Sequence, residues 1–135
     1  MQRRSLIQAA GAAAATLGVP RLFAQEWPTG PVRIVVGFPP GGGTDALARV
    51  VAQKLTTMWG QQVIVENKGG VAGVLAADYV AQQPSDGSTL LMAHINSHAL
   101  APSLQPKLRY NVERDFVPIV LVGVTPNLLI ANPAQ

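Results

Sequence analysis

The stretch "VRIVVGFPPGGGTDAL", residues 32–47, decides the fold, because it joins a β-branched run to a helical pattern through two prolines and three glycines. A short β-branched run that ends at glycine and proline is typical of a strand buried on both faces of a parallel sheet. The apolar residues that follow recur at three- and four-residue spacing, which predicts a helix from Ala46, with Thr44 or Gly43 as its N-cap, to Gly60. The stretch therefore predicts a strand, a glycine loop and a helix in immediate succession.

The same alternation continues along the chain. Two further short runs, "QVIVEN" (62–67) and "STLLMA" (88–93), predict strands, and an apolar pattern from Ala72 to about Gln82 predicts a helix between them. Strand, helix, strand, helix and strand with short links indicate right-handed crossovers and a parallel sheet. The predicted class is α/β.

Beyond the third strand the pattern is mixed. Residues 95–116 hold two prolines and scattered polar groups, which predict a loop with a short helix and a turn. The runs "VPIVLVGV" (117–124) and "NLLIAN" (127–132) predict two more strands. A doubly wound domain normally continues from such a strand into another helix, so we expect one sheet edge to be left incomplete at the C-terminus.

Residues 1–24 read as a secretory signal peptide. They combine Arg3 and Arg4 with an alanine-rich apolar run and a small Ala24, and the run is shorter and more polar than the roughly 18–20 apolar residues of a spanning helix. The arginine pair suits a twin-arginine signal but also occurs in ordinary ones, so both export routes stay open. We expect residues 25–135 to act in the periplasm.

Charge and cysteine content exclude several classes of function. Without residues 1–24 the chain keeps seven basic and seven acidic residues, and the basic ones are scattered singly rather than clustered. A nucleic-acid partner needs a basic face, so none is expected. The chain has no cysteine, which excludes a disulfide framework, a thiol nucleophile and a lipidated N-terminal cysteine.

The glycine loop predicts an anion site. A strand that feeds a helix through glycines places backbone N–H groups at the positive end of the helix dipole, where phosphate or carboxylate can bind, although a purely structural turn is the simpler reading. No lysine follows the glycines, which excludes a P-loop. Gly41, Gly43 and Ala46 fit the dinucleotide pattern G-x-G-x-x-A, with Glu66 about twenty residues on. A Rossmann oxidoreductase fragment therefore remains the alternative, against which the export signal and the two prolines count.

Catalytic and metal patterns are thin. No G-x-S-x-G elbow surrounds Ser97 or another serine, and His94 and His98 have the spacing of H-E-x-x-H without its glutamate. We therefore expect no enzyme, no metal and no cofactor. Ser97 and His98 nevertheless follow the third strand, at the sheet edge where ligands bind in open α/β folds, and are candidate ligand contacts.

Three motifs together carry a family resemblance: F-P-P-G-G-G-T-D after the first strand, V-E-N-x-x-G at the end of the second, and Asp-Gly before the third. This combination resembles the Bug family of exported solute-binding proteins, the extracytoplasmic receptors of tripartite tricarboxylate transporters. The resemblance implies a type II periplasmic-binding-protein fold, in which two α/β lobes close on a small carboxylated solute without performing chemistry. It also implies the membrane subunits of the transporter as partners.

The resemblance assigns ligand contacts to two loops. Receptors of this family grip a carboxylate through the loop after the first strand, which here comprises Phe38, Pro39, Gly41, Gly42, Gly43, Thr44 and Asp45. The loop after the third strand also lines the cleft, at Ile95, Asn96, Ser97 and His98. Family proteins continue beyond this length, so residues 25–135 are expected to form the N-terminal part of the first lobe, with the second lobe absent. Because such receptors bind by closing two lobes, we expect weak binding or none from this chain alone.

Overall fold

The computed structural model describes residues 27–124, and its centre is a three-stranded parallel sheet. The strands are β1 (Val32–Val36), β2 (Val63–Asn67) and β3 (Thr89–Met92), in the order β2-β1-β3. All three coincide with the predicted strands to within one residue at each end. The α/β class and the parallel sheet are therefore confirmed.

Two helices cover opposite faces of the sheet. Helix α1 (Gly43–Trp59) connects β1 to β2, and helix α2 (Val74–Ala81) connects β2 to β3. Side chains alternate along a strand, so each face of β1 meets a different helix. On the face that α2 covers, Arg33 of β1 donates a hydrogen bond of 3.1 Å to Tyr79 Oη. On the face that α1 covers, buried apolar residues of β1 and α1 pack together: Val32, Ile34, Val36, Ala48 and Ala52.

Helix α1 begins earlier than the sequence predicted. Its N-cap is Gly42, which is extended with φ −78° and ψ 168°, and the Gly42 carbonyl accepts a hydrogen bond from the Ala46 amide at 2.9 Å. The predicted cap at Thr44 or Gly43 was wrong because both of these residues already lie inside the helix. The predicted end is confirmed, since Gly60 adopts the left-handed conformation with φ 64°.

Helix α2 also differs from the predicted range of 72–82. A 3₁₀ turn, Val71–Gly73, comes first, and α2 starts only at Val74. Ala72 and Gly73 have φ of 54° and 93°, and a right-handed helix cannot pass through left-handed residues. The backbone therefore turns sharply between β2 and α2.

Short helical turns follow β3, in agreement with the predicted loop and short helix. A π-helical turn (Asn96–Leu100) runs into α3 (Ala101–Leu104), and α4 (Val112–Asp115) is capped by the side chain of Asn111. None of the helices within residues 27–124 is long and apolar enough to cross a membrane.

The predicted strand over residues 117–124 is not formed in the structure. These residues pair with no strand in the described part of the chain, and their apolar side chains are exposed, as at Leu121, which is 77% exposed. Strand preference reflects packing against neighbouring strands, so the pattern alone does not produce a strand here. The second predicted strand, 127–132, and the predicted signal peptide, 1–24, lie outside the described residues.

The end of β1 approaches the start of α2 so closely that Gly37 has no room for a side chain. A Cβ atom at this buried position lies 2.6 Å from the Gly73 Cα and 3.3 Å from the Ala76 Cβ. We expect Gly37→Ala to lower the free energy of unfolding by about 1–3 kcal/mol, because backbone must move to accept the methyl group.

Urea titration followed by circular dichroism measures this change. Gly30→Ala is the matched control, since a Cβ there meets no atom within 4 Å, and it is expected to stay within about 0.5 kcal/mol of the wild type. Equal urea midpoints for Gly37→Ala and the wild type contradict the close packing of β1 against α2.

Candidate functional site

Three loops meet at the carboxyl edge of the sheet, because three parallel strands end there. We define them as the first loop (37–42), the second loop (68–73) and the third loop (93–98). A Cβ atom built on Gly69 lies 3.6 Å from the Pro39 nitrogen, so the second loop touches the first. A Cβ atom built on Gly73 lies 3.6 Å from the Ser97 Cβ and 3.7 Å from Phe38 Cε2, so all three loops are in contact.

The strand order places the first loop at a topological switch point. From β1 the chain passes to β2 on one side, and it then returns to β3 on the other side. Ligands of open α/β sheets bind in the crevice that opens where the chain direction divides in this way. The glycine loop singled out from the sequence therefore occupies the position that the topology favours for a ligand.

The junction of the first loop with α1 carries backbone N–H groups that are candidates to bind an anion. The first four N–H groups of a helix have no acceptor within it, and here they belong to residues 42–45. No side chain caps this end of α1. Gly41, Gly42 and Gly43 are exposed, and a Cβ atom on Gly41 or Gly43 meets nothing within 4 Å. With the positive end of the helix dipole behind them, these N–H groups can hold an anion.

Asp45 lies beneath this loop and is bound from three sides. Its Oδ2 accepts hydrogen bonds of 2.9 Å from the Gly41 amide and from Arg49 Nε, and its Oδ1 accepts one of 2.9 Å from Asn67 Nδ2. These bonds, that from Arg49 foremost, hold the pKa of the buried Asp45 carboxyl far below its usual value. Asp45 was predicted as a ligand contact. In the structure both of its carboxylate oxygens accept hydrogen bonds from the protein itself, and its contact with a ligand stays a prediction.

Phe38, Pro39 and Thr44 flank the exposed glycines. Phe38 is half-buried, packs against the core of the α1 face and makes an edge-to-face contact with the His94 ring at 4.8 Å. Pro39 is exposed and Thr44 is half-buried in the first turn of α1. The Phe38–His94 pair joins the first loop to the third.

Ser97 and His98 have partners inside the protein. The buried Ser97 Oγ donates to the His94 carbonyl at 3.1 Å and lies 2.9 Å from His98 Nδ1. Tyr110 is buried and donates to the Ser97 carbonyl at 2.5 Å. The His98 ring packs edge-to-face on Phe116 at 4.8 Å, and burial lowers its pKa. Both residues lie at the correct sheet edge, and their contact with a ligand stays a prediction.

Sequence reasoning missed the second loop as part of the site. Val71 and Ala72 have positive φ, a conformation in which residues with a Cβ are strained, and such strain gathers at ligand-binding loops. The signal was available in V-E-N-x-x-G, because a loop that follows a strand of the same parallel sheet must reach the same edge. Asn67 and Arg49, which hold Asp45, were also missed.

The described part of the chain outside these loops could offer two further kinds of site, a metal site or a cavity. Within residues 27–124 no three histidine, aspartate or glutamate side chains are grouped so that they could hold a metal ion. A cavity of about 150 Å³ lies at the opposite, amino end of β1, and its lining includes Trp27, Pro28 and Asp86. The residues that line this cavity do not belong to the three loops of the anion site.

Comparison with known proteins gives consistent matches. The family model described as "Tripartite tricarboxylate transporter family receptor" matches residues 47–135. Protein BugT of Bordetella pertussis is 38% identical over 135 residues, which cover 98% of this chain and 41% of BugT. A UPF0065 protein from the tcbD-tcbE intergenic region of a Pseudomonas species is 43% identical over 106 residues, which cover 77% of this chain and 31% of that protein. The chain thus spans less than half the length of these relatives.

Solved structures agree with the sequence relatives. MatC from Rhodopseudomonas palustris with bound malate is similar with a TM-score of 0.67 and 40% identity, over 71% of this chain and 33% of MatC. A periplasmic transporter is similar with a TM-score of 0.62 and 39% identity, over 64% of this chain and 29% of that structure. The fold is that of periplasmic binding proteins, an extracytoplasmic location is implied, and the Rossmann alternative is not favoured. The chain belongs to the family of tripartite tricarboxylate transporter receptors.

Proposed function

We propose that this chain is the N-terminal, ligand-binding part of an exported receptor that holds a small carboxylate through the N–H groups of Gly42, Gly43 and Thr44. The observation that carries the proposal is the exposed, uncapped start of α1 at the switch point of the sheet. The bound malate of the related MatC structure supports a carboxylate as the ligand. The chain acts by binding and performs no chemistry, and it needs no cofactor.

The charge balance around the loop favours a carboxylate over a phosphate ester. Arg49 lies near the start of α1, and Asp45 already neutralises its guanidinium at 2.9 Å. A helix N-terminus carries only about half a positive charge, which suits a carboxylate group better than a doubly charged phosphate. A dinucleotide is disfavoured further because Glu66, the acidic residue of the dinucleotide pattern, forms an ion pair of 2.9 Å with Lys68.

The remaining predicted contacts take supporting parts in this proposal. Phe38 and Pro39 form one wall beside the bound group, and Asp45 shapes the loop from below. Ser97 and His98 belong to the third loop, which forms the opposite wall, and their internal hydrogen bond gives that wall its shape.

The cellular setting is part of the proposal. Residues 1–24 direct export by the general or the twin-arginine route, the mature chain acts in the periplasm, and the partners are the membrane subunits of a tripartite transporter. No nucleic acid takes part. Because Gly41, Gly42 and Gly43 are exposed in the described structure, water and salt compete with a ligand bound there.

We expect this chain to bind malate weakly, because the proposed N–H donors are open to water and salt. In two-dimensional NMR spectra of the isotope-labelled chain, malate should shift the amide signals of residues 42–44 in a saturable manner. The neutral diamide of malate is the control and should leave these signals in place, because it lacks the charge that the helix N-terminus attracts. Signals that malate does not shift contradict a carboxylate site at this loop, and micromolar affinity contradicts the expected weak binding.

A single N–H group can be removed without disturbing the helix. Gly43 is the first residue of α1 and has no positive φ, and proline is well tolerated at this position because the extended Gly42 precedes it. Gly43→Pro deletes one donor to the ligand, so we expect the affinity for malate to fall by about tenfold or more. Gly43→Ala keeps the N–H group and has free space for its methyl group, and it should bind like the wild type. Equal affinities for the two variants show that the Gly43 amide does not hold the ligand.

A further inference from the structure

Asn67 is the centre of a cluster that ties the first loop to the end of β2. Its Nδ2 donates hydrogen bonds to the Phe38 carbonyl at 3.1 Å and to Asp45 Oδ1 at 2.9 Å. Its Oδ1 accepts a bond of 3.3 Å from Arg49 Nη2. All polar functions of one amide are thus used to join the loop, α1 and β2.

We propose that Asn67 and Arg49 are positioning residues that, through Asp45, hold the glycine loop in the shape that binds an anion. The assignment of a ligand rests on the function proposed above. The carboxylate of Asp45 takes the Gly41 N–H group at 2.9 Å, which fixes the peptide at which the loop turns with φ 88°. The N–H groups of the exposed Gly42 and Gly43, which follow, are not engaged by this carboxylate.

The ion pair between Arg49 and Asp45 also sets the charge beside the proposed ligand. An ionised Asp45 in the first turn of α1 lies at the same helix end as the proposed ligand, so its negative charge opposes the binding of an anion. The Arg49 guanidinium at 2.9 Å balances this charge from the side of the helix. Arg49 therefore lets Asp45 shape the loop without repelling the ligand, a part that it plays without touching the ligand itself.

Two variants test the proposal on the full chain. Arg49→Met removes the guanidinium, and Asn67→Ala removes the amide. In each variant we expect the hydrogen exchange of the Gly41 amide, measured by NMR, to accelerate by about tenfold, because its acceptor is no longer held in place. Lys54→Met is the matched control, since it removes one positive charge from an exposed position of the same helix, more than two turns beyond Asp45.

The pH profile of the Gly41 signal separates positioning from a general effect on stability. In the wild type its shift should not change between neutral pH and about pH 3, because Arg49, Gly41 and Asn67 keep the Asp45 carboxyl ionised. In Arg49→Met the pKa of Asp45 should rise, because the hydrogen bond from Arg49 is the largest cause of its lowering, so the Gly41 signal should titrate at a higher pH than in the wild type. An altered stability alone does not produce this titration in the folded state.

Three results decide the matter. The proposal is supported by faster Gly41 exchange in both variants, by a Gly41 titration in Arg49→Met and by smaller malate-induced shifts at residues 42–44. It is overturned when the two variants keep the exchange rate and the pH profile of the wild type and of Lys54→Met. Failure of malate to shift the wild-type signals counts against the proposed function only, because the exchange and pH measurements need no ligand.

Discussion

The parallel pairing of β1 with strands on both of its edges is the constraint on which the rest of the structure depends. Val36, the last residue of β1, is in register with Asn67 at the end of β2 and with Met92 at the end of β3. The three strands therefore end at one level, and the loops that leave them emerge side by side. Every contact among these loops follows from this register, including those of Asn67 with the first loop.

A buried carboxylate beside an anion site poses an electrostatic conflict that local hydrogen bonds resolve. Removing Asp45 from water costs free energy, which the bonds from Gly41, Arg49 and Asn67 offset. The same bonds give a flexible triple glycine one defined conformation. A chain with three consecutive glycines loses much conformational entropy on folding, so an internal clamp of this kind is needed where the loop must be ordered before a ligand arrives.

Close backbone approach is the second requirement of the site. Gly37 and Gly73 let the first loop and the start of α2 touch, and the left-handed residues Val71 and Ala72 turn the second loop back toward the first. These conformations are unfavourable for residues that carry a Cβ, and packing elsewhere must sustain them.

The sequence by itself determined the α/β class, the three strands, the glycine loop and the family, since strand and helix patterns and the glycine motif are local properties of the chain. It misplaced the N-cap of α1 and the start of α2, because both depend on single backbone conformations at Gly42 and Ala72. The strand predicted over 117–124 does not form for a related reason. A strand needs a neighbouring strand to pair with, and the apolar pattern of the sequence does not show whether one is present. The ion pair of Asp45 with Arg49 spans only four positions of one helix, so helical spacing makes it possible. Only the tertiary structure decided that Asn67 joins Asp45 to β2, because that contact joins residues 22 positions apart through a sheet register that local sequence does not encode.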